Sequence, residues 1–372
     1  MRVLILSCNT GEGHNSCGKA IQESFHDKGI SCEMEDAFRF ISPRVSKLIS
    51  FLFVRIYRHL PGLFRFCYRY SENHPGVFKR KSGIYKFLTS GAERLYRFIT
   101  DEKYDTIICP HVLSALMVTE VLRRHETNLH TYFVATDYTC SPSCGQSELD
   151  GYFIPDKSLA DEFVRCGVPE EKIVASGIPI RKDFYQFLDK ADAKRKIGLK
   201  PEDRHLLVMC GSMGCGPIGK LVRKIARTMP EDCRISVVCG TNHRLRKKLE
   251  RALASDTRVE AYSYIHDISA MMDSADLFLT KPGGISVTEA AQKHLPMMFV
   301  NAVAGCESYN MRFYMHRGTA VSADTAETLA DLTVSLLSND TLLEQMAQGF
   351  DALHDGVAAE KIVDFIMTAC VS

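Results

Sequence analysis

Residues 1–18 read MRVLILSCNTGEGHNSCG, and the order of their chemistry decides the fold. Val3 to Leu6 form an apolar run of the length of one buried strand, glycines follow at Gly11 and Gly13, and Asn15 to Lys28 has helical spacing. A strand that ends in a glycine-containing loop and passes into a helix opens a βαβ unit. Further apolar runs continue it at Ser31 to Glu35, Tyr104 to Cys109, His130 to Thr136 and Gly151 to Ile154, with helical stretches such as Val112 to Arg124 between them. This alternation predicts a parallel sheet covered on both faces.

The pattern then starts again. Strands are expected at His205 to Cys210, Arg234 to Cys239, Val259 to Tyr264, Leu277 to Thr280 and Met297 to Asn301. The 372 residues therefore divide into two Rossmann-like α/β domains, 1–175 and 188–350. A hinge is placed at 176–187, where Gly177 and Pro179 interrupt any regular element. Residues 351–372 are expected to form a C-terminal helix. The stretch after Asp340, with Leu342, Leu343, Met346, Phe350 and Leu353 at helical spacing, is expected to pack back on the first domain.

Hydrophobic content of 45% with 24% charged residues describes a folded chain. The fourteen cysteines are scattered singly, some within apolar runs as at Cys109 and Cys210, which suits free thiols in a reducing compartment. No CxxC pair or histidine cluster has zinc spacing, so no metal is expected. The N-terminal apolar run is too short for a signal peptide, and no run of about 18 apolar residues predicts a membrane span.

A net charge of +1 conceals a lopsided distribution. From Arg39 to Arg97 there are thirteen Lys and Arg against two acids, Glu72 and Glu93, interleaved with Phe51, Phe53, Tyr57, Phe64, Phe66, Tyr68 and Tyr70. Such a region suits an anionic lipid surface, where each basic residue contributes about 1 kcal/mol. A solvated helical face over an aromatic core stripe is the competing reading. No nucleic-acid motif accompanies the charge, and nucleic acid is not expected as a partner.

Four stretches carry chemistry. In SCNTGEGHNSC the glycines permit close backbone approach and the helix start offers unpaired N–H groups to something polar or anionic. The spacing to Gly18 is not that of a dinucleotide fingerprint, which disfavours a nicotinamide dehydrogenase. His14 at this turn is a candidate general base. In TKPGGISVTE, Gly283 and Gly284 make a turn into a helix suited to a diphosphate, and Glu289 can accept ribose hydroxyls. In GCESYN, Glu307 and Asn310 stand three apart and either grip sugar hydroxyls or serve helix capping and solvent. In Thr136 to Tyr138, Asp137 either orients His14, binds the acceptor hydroxyl or caps a turn.

Taken in order, GEGHNSCGKAI, VATDYT, ASGIPIR, TKPGGISVTEAAQKHLP and GCESYNMRF resemble the monogalactosyldiacylglycerol synthase and processive diacylglycerol glucosyltransferase family of family 28. A more distant likeness is to the transferase that adds N-acetylglucosamine to the lipid-linked peptidoglycan precursor. The resemblance implies a GT-B fold, two Rossmann-like domains facing across a cleft. It also implies an inverting transfer of a hexose from a UDP-sugar to a diacylglycerol-type lipid, with no cofactor and no metal. It makes His14 and Asp137 the catalytic candidates. The donor candidates are Gly13, Gly211, Ser212, Lys281, Gly283, Gly284, Ser286, Glu289, Glu307 and Asn310. Arg55, Arg58, Phe64, Arg65 and Arg69 become candidates for an anionic membrane surface, which places the chain in the cytoplasm on the inner face of the cell membrane. Two departures stand out. Cys306 occupies a position where many relatives carry Gln, and the stretch after TDY is CSPSCGQ without the usual His and Trp. A UDP-sugar 2-epimerase and a membrane-bound nucleotide-sugar sensor are the alternatives.

Overall fold

A computed structural model of the chain describes residues 1–9, 11–211, 218–300, 305–353 and 356–370, and within its helices not the side chains of 54, 57–59, 61, 75 and 352. Two compact units emerge. One comprises Met1–Arg181 with the C-terminal stretch from Gly356, the other Lys182–Ala302 with Glu307–Asp355.

The first unit is built on β1 (Arg2–Ser7), β2 (Ser31–Asp36), β3 (Thr106–Cys109), β4 (His130–Val134), β5 (Gly151–Ile154) and β6 (Ile173–Ala175). All pair in parallel in the order β2-β1-β3-β4-β5-β6. Chain order reverses between β1 and β3, and the crevice outside the carboxyl ends of two such strands is where open α/β sheets bind ligands. Val3 to Leu6 are fully buried in this core, as are Ile107 and Ile108, each such side chain contributing about 1.5–3 kcal/mol. Helix α1 (Glu12–Asp27) lies close to the sheet at Gly18, where a Cβ would come within 2.9 Å of Met34 Sδ and 3.2 Å of Ile5. A side chain there would have to push both neighbours aside.

The second unit repeats the plan with β7 (Arg204–Met209), β8 (Cys233–Val238), β9 (Val259–Tyr262), β10 (Leu277–Thr280), β11 (Met297–Phe299) and β12 (Ala320–Ser322), all parallel in the order β12-β11-β10-β7-β8-β9. Its reversal falls between β7 and β10. The edge strands β6 and β12 are additions to the sequence reading: three residues each, they carry too little apolar signal to be separated from loops.

The stretch after Asp340 is divided between the two units. The helix Asp340–Gln348 belongs to the second unit. The helix Ala358–Ala369 packs on α1 in the first, with Phe365 edge-on to Phe153 at 5.4 Å and Asp364 ion-paired to Lys28.

Candidate active site

At the reversal in the first unit, the first turn of α1 brings in His14 and the loop after β3 brings in Pro110 and His111. The helix begins three residues earlier than the sequence spacing predicted, so Gly13 and His14 lie in its first turn. Its N-cap, Gly11, provides no side-chain acceptor, which leaves the first-turn amides to other partners.

His14 Nδ1 stands 2.9 Å from the carbonyl oxygen of Pro110 and 2.9 Å from Thr136 Oγ1. A carbonyl only accepts, so in the neutral ring Nδ1 carries the proton and donates it, and the lone pair belongs to Nε2. That is the tautomer a base needs. Burial lowers the His14 pKa to about 4 against the opposing effect of the Pro110 carbonyl, so Nε2 is unprotonated throughout the neutral range. The partner on the β4 side is the hydroxyl of Thr136, one residue before Asp137, for which the sequence offered orienting His14, binding the acceptor or capping a turn. β4 ends at Val134, so both residues lie in the following loop, and it is Thr136 that meets the ring.

His111 lies edge-on to His14, with ring centroids 4.3 Å apart and planes at 62°. It also caps the helix Val112–Arg124 by accepting from Leu113 N–H at 3.0 Å through Nδ1. Burial, and then the neighbouring His14, push its pKa well below the usual histidine value. Pro110 and His111 were absent from the sequence-derived site. The available signal was CPH at the end of an apolar strand, but nothing in one sequence reveals that this strand lies beside β1.

Next to α1, a cavity of about 450 Å³ is lined by residues including Ser7, Asn9, Asn15, Asp36, Ser46 and Lys47. Ser7 Oγ donates to Asn15 Oδ1 at 2.8 Å, and Asp36 receives the Ser46 hydroxyl and the Phe38 N–H.

In the second unit, the loops after β7 and β10 meet at the corresponding reversal. Gly211 has φ +70°, and a Cβ there would lie 2.8 Å from Lys281 Cε, so the lysine stem runs directly over it. Gly283 caps the helix Gly284–Gln292 without a side-chain acceptor, leaving its amides directed outward from the helix start, with Ser286 in the first turn. Glu289 is buried one turn further on.

Glu307 and Asn310 are buried rather than presented as free groups. Lys281 Nζ donates to Glu307 Oε1 at 2.7 Å, and Asn310 Nδ2 donates to the Pro282 carbonyl at 3.0 Å. Both therefore brace the Lys281–Gly284 turn from the helix Cys306–His316, an arrangement their three-residue spacing could not disclose. Ser212 lies outside the described residues.

The basic aromatic region forms α2 (Pro43–His59) and α3 (Pro61–Asn73). Arg55, Arg65 and Arg69 are exposed, together with Phe51, Phe66 and Tyr70. Phe64 instead packs edge-on against Phe53 at 5.5 Å, because it faces the partner helix. The Arg58 side chain is not among those described. Among the described residues no helix is long and apolar enough to cross a membrane.

Two parallel α/β units, each with a glycine-started helix at its reversal point, make up a GT-B-like fold. Residues 14–180 match the model of the monogalactosyldiacylglycerol (MGDG) synthase family, and residues 205–352 match the glycosyltransferase family 28 C-terminal domain. The chain belongs to this MGDG synthase and family 28 group of glycosyltransferases. The processive diacylglycerol beta-glucosyltransferase of Bacillus cytotoxicus is 28% identical over 369 residues, covering 98% of this chain and 93% of that protein. The enzyme of the same name from Bacillus licheniformis is 27% identical, covering 98% and 94%. Among solved structures, Acinetobacter baumannii MurG superposes with a TM-score of 0.69 at 14% identity, covering 99% of each chain. S. aureus MnaA with UDP gives 0.66 at 15% identity, covering 98% and 96%. These structural likenesses establish the fold.

Proposed function

We propose that the chain transfers a hexose from a UDP-sugar to the hydroxyl of a diacylglycerol-type lipid, with inversion at the anomeric carbon, on the inner face of the cell membrane. The observation that carries the mechanism is the 2.9 Å contact of His14 Nδ1 with the Pro110 carbonyl, which assigns the ring proton to Nδ1 and the lone pair to Nε2. Nε2 takes the acceptor proton as the hydroxyl oxygen attacks the anomeric carbon, and the bond from that carbon to the diphosphate breaks with its electron pair passing to UDP. The His14 proton is then lost to solvent.

The second domain, 188–350, holds the donor. The amides opening the helix at Gly283 and Gly284, with Ser286 and the Lys281 ammonium, stabilise the charge that gathers on the departing diphosphate. Gly211 completes that wall, Glu289 accepts the ribose hydroxyls, and Glu307 and Asn310 keep the turn in place. The first domain, 1–175, supplies Gly13 at the helix start for the donor and Asp137 beside Thr136 for the acceptor, whose headgroup is taken up by the cavity at Asn15 and Asp36. Residues 176–187 serve as the hinge. Exposed Arg55, Arg65 and Arg69 with Phe51 and Phe66 attach α2 and α3 to anionic lipid, Arg58 adding to the charge. An epimerase acting on soluble nucleotide sugars has no use for such a face.

The test is transfer of label from UDP-glucose, UDP-galactose or UDP-N-acetylglucosamine to extractable lipid in anionic vesicles containing diacylglycerol. Labelled lipid from one donor supports the reading. Release of free sugar, or binding of UDP with no labelled lipid from any donor, contradicts it.

A further inference from the structure

We propose that His111 is a positioning residue for the transfer: its ring, held edge-on to His14, fixes the plane of the base. The inference rests on the reading of His14 as the base. The Cβ–Cγ bond and the hydrogen bond from Nδ1 to the Pro110 carbonyl hold one edge of the imidazole and leave the far edge, with Nε2, able to swing by tilting about the line from Cβ to Nδ1. Thr136 touches the same atom, so it adds a second restraint at the same point. The contact that resists the swing is the His111 ring, 4.3 Å away and inclined at 62°. His111 is itself immobilised, because its Nδ1 accepts from Leu113 N–H and the helix Val112–Arg124 starts on it. The acceptor of the His14 proton and the ring that sets its plane are thus consecutive residues of one short loop. A displacement of about 1 Å at a reacting group costs up to about a hundredfold in rate.

The two tasks of His111 can be separated by substitution. His111→Asn retains an N-capping side chain but removes the ring. His111→Phe retains a ring of similar breadth but removes the capping acceptor. The expected result is that His111→Asn keeps the wild-type melting temperature and donor KM while kcat falls about tenfold. His111→Phe restores most of kcat and melts a few degrees lower, as loss of a cap predicts. Wild-type kcat in His111→Asn overturns the inference, since the ring then positions nothing. Equal loss of kcat in both variants also overturns it, since the imidazole itself is then required. Failure of the underlying reading looks different: the wild-type enzyme transfers no sugar, or His14→Ala remains active.

Discussion

The ammonium of Lys281 lies 2.7 Å from a carboxylate oxygen of Glu307, and the two side chains are 18% and 7% exposed. The pair joins the strand-end turn after β10 to the helix Cys306–His316, so a residue that looks in sequence like a sugar ligand is part of the turn's support. Removing one partner from a largely buried pair is costly, about 3 kcal/mol. Glu307→Ala is therefore expected to destabilise the protein by about that amount in urea unfolding and to weaken UDP binding. Lys281→Met added to it should cost less than the sum of the single changes. Additive losses in this double-mutant cycle would show that the pair is not coupled.

Gly211 tests the same wall from the other side. Its φ is +70°, and a side chain's first carbon would stand 2.8 Å from Lys281 Cε, so Gly211→Ala combines a left-handed backbone with displacement of the lysine stem. A loss of about 1–2 kcal/mol and weaker UDP binding by calorimetry are expected. Gly198 has φ +82° with nothing within 4 Å, so Gly198→Ala should show the backbone cost with UDP affinity unchanged.

Acid should destabilise the fold before carboxylates titrate. Burial lowers His14 and His205 to about 4 and holds His111 well below the usual histidine value. Between the ordinary histidine value of 6.5 and about 4, the unfolded chain binds protons that the folded chain does not, so stability falls as pH drops through that window and is level above it. His205 Nε2 is buried without a hydrogen-bond partner, and Ser274, its contact at Nδ1, also donates to the Met271 carbonyl. The melting temperature of His205→Leu should consequently decline less between pH 6.5 and about 5 than that of the parent protein. An unchanged slope would assign the acid sensitivity elsewhere.

Lipid attachment should have two separable parts. Replacing Arg55, Arg65 and Arg69 by Gln removes about 3 kcal/mol of attraction to anionic vesicles, about a hundredfold in affinity, and the effect should fade in high salt. Phe51→Ser with Phe66→Ser should weaken binding at every salt concentration, because those rings are exposed and available for insertion. Vesicle sedimentation distinguishes the two.

The repeated strand–loop–helix order was legible because the central strands are largely apolar, as in VLIL and LFL, and the loops after β1, β7 and β10 carry glycine. The edges β6 and β12 were not, since IVA and AVS are three residues long with polar residues close by, whereas the equally short β11 sits in the longer apolar run MMFV. His14 was legible from its place after β1, whereas its partners Pro110 and Thr136 lie 96 and 122 residues away and became neighbours only through sheet order. Gly18 could have been found: it stands one turn after His14 on α1, where close approach to a sheet favours the absence of a side chain. Glu307 and Asn310 were identified as a pair, but spacing alone does not tell a group that faces a ligand from one that supports the turn beside it.

The most direct test of the central claim is the rate of lipid glycosylation by His14→Ala, measured alongside its affinity for UDP. A positioned base contributes about 10²–10⁴-fold, so kcat should fall by that factor while UDP affinity and melting temperature stay close to those of the parent. A variant that binds UDP and glycosylates lipid at the parental rate would contradict the assignment of His14 as the base.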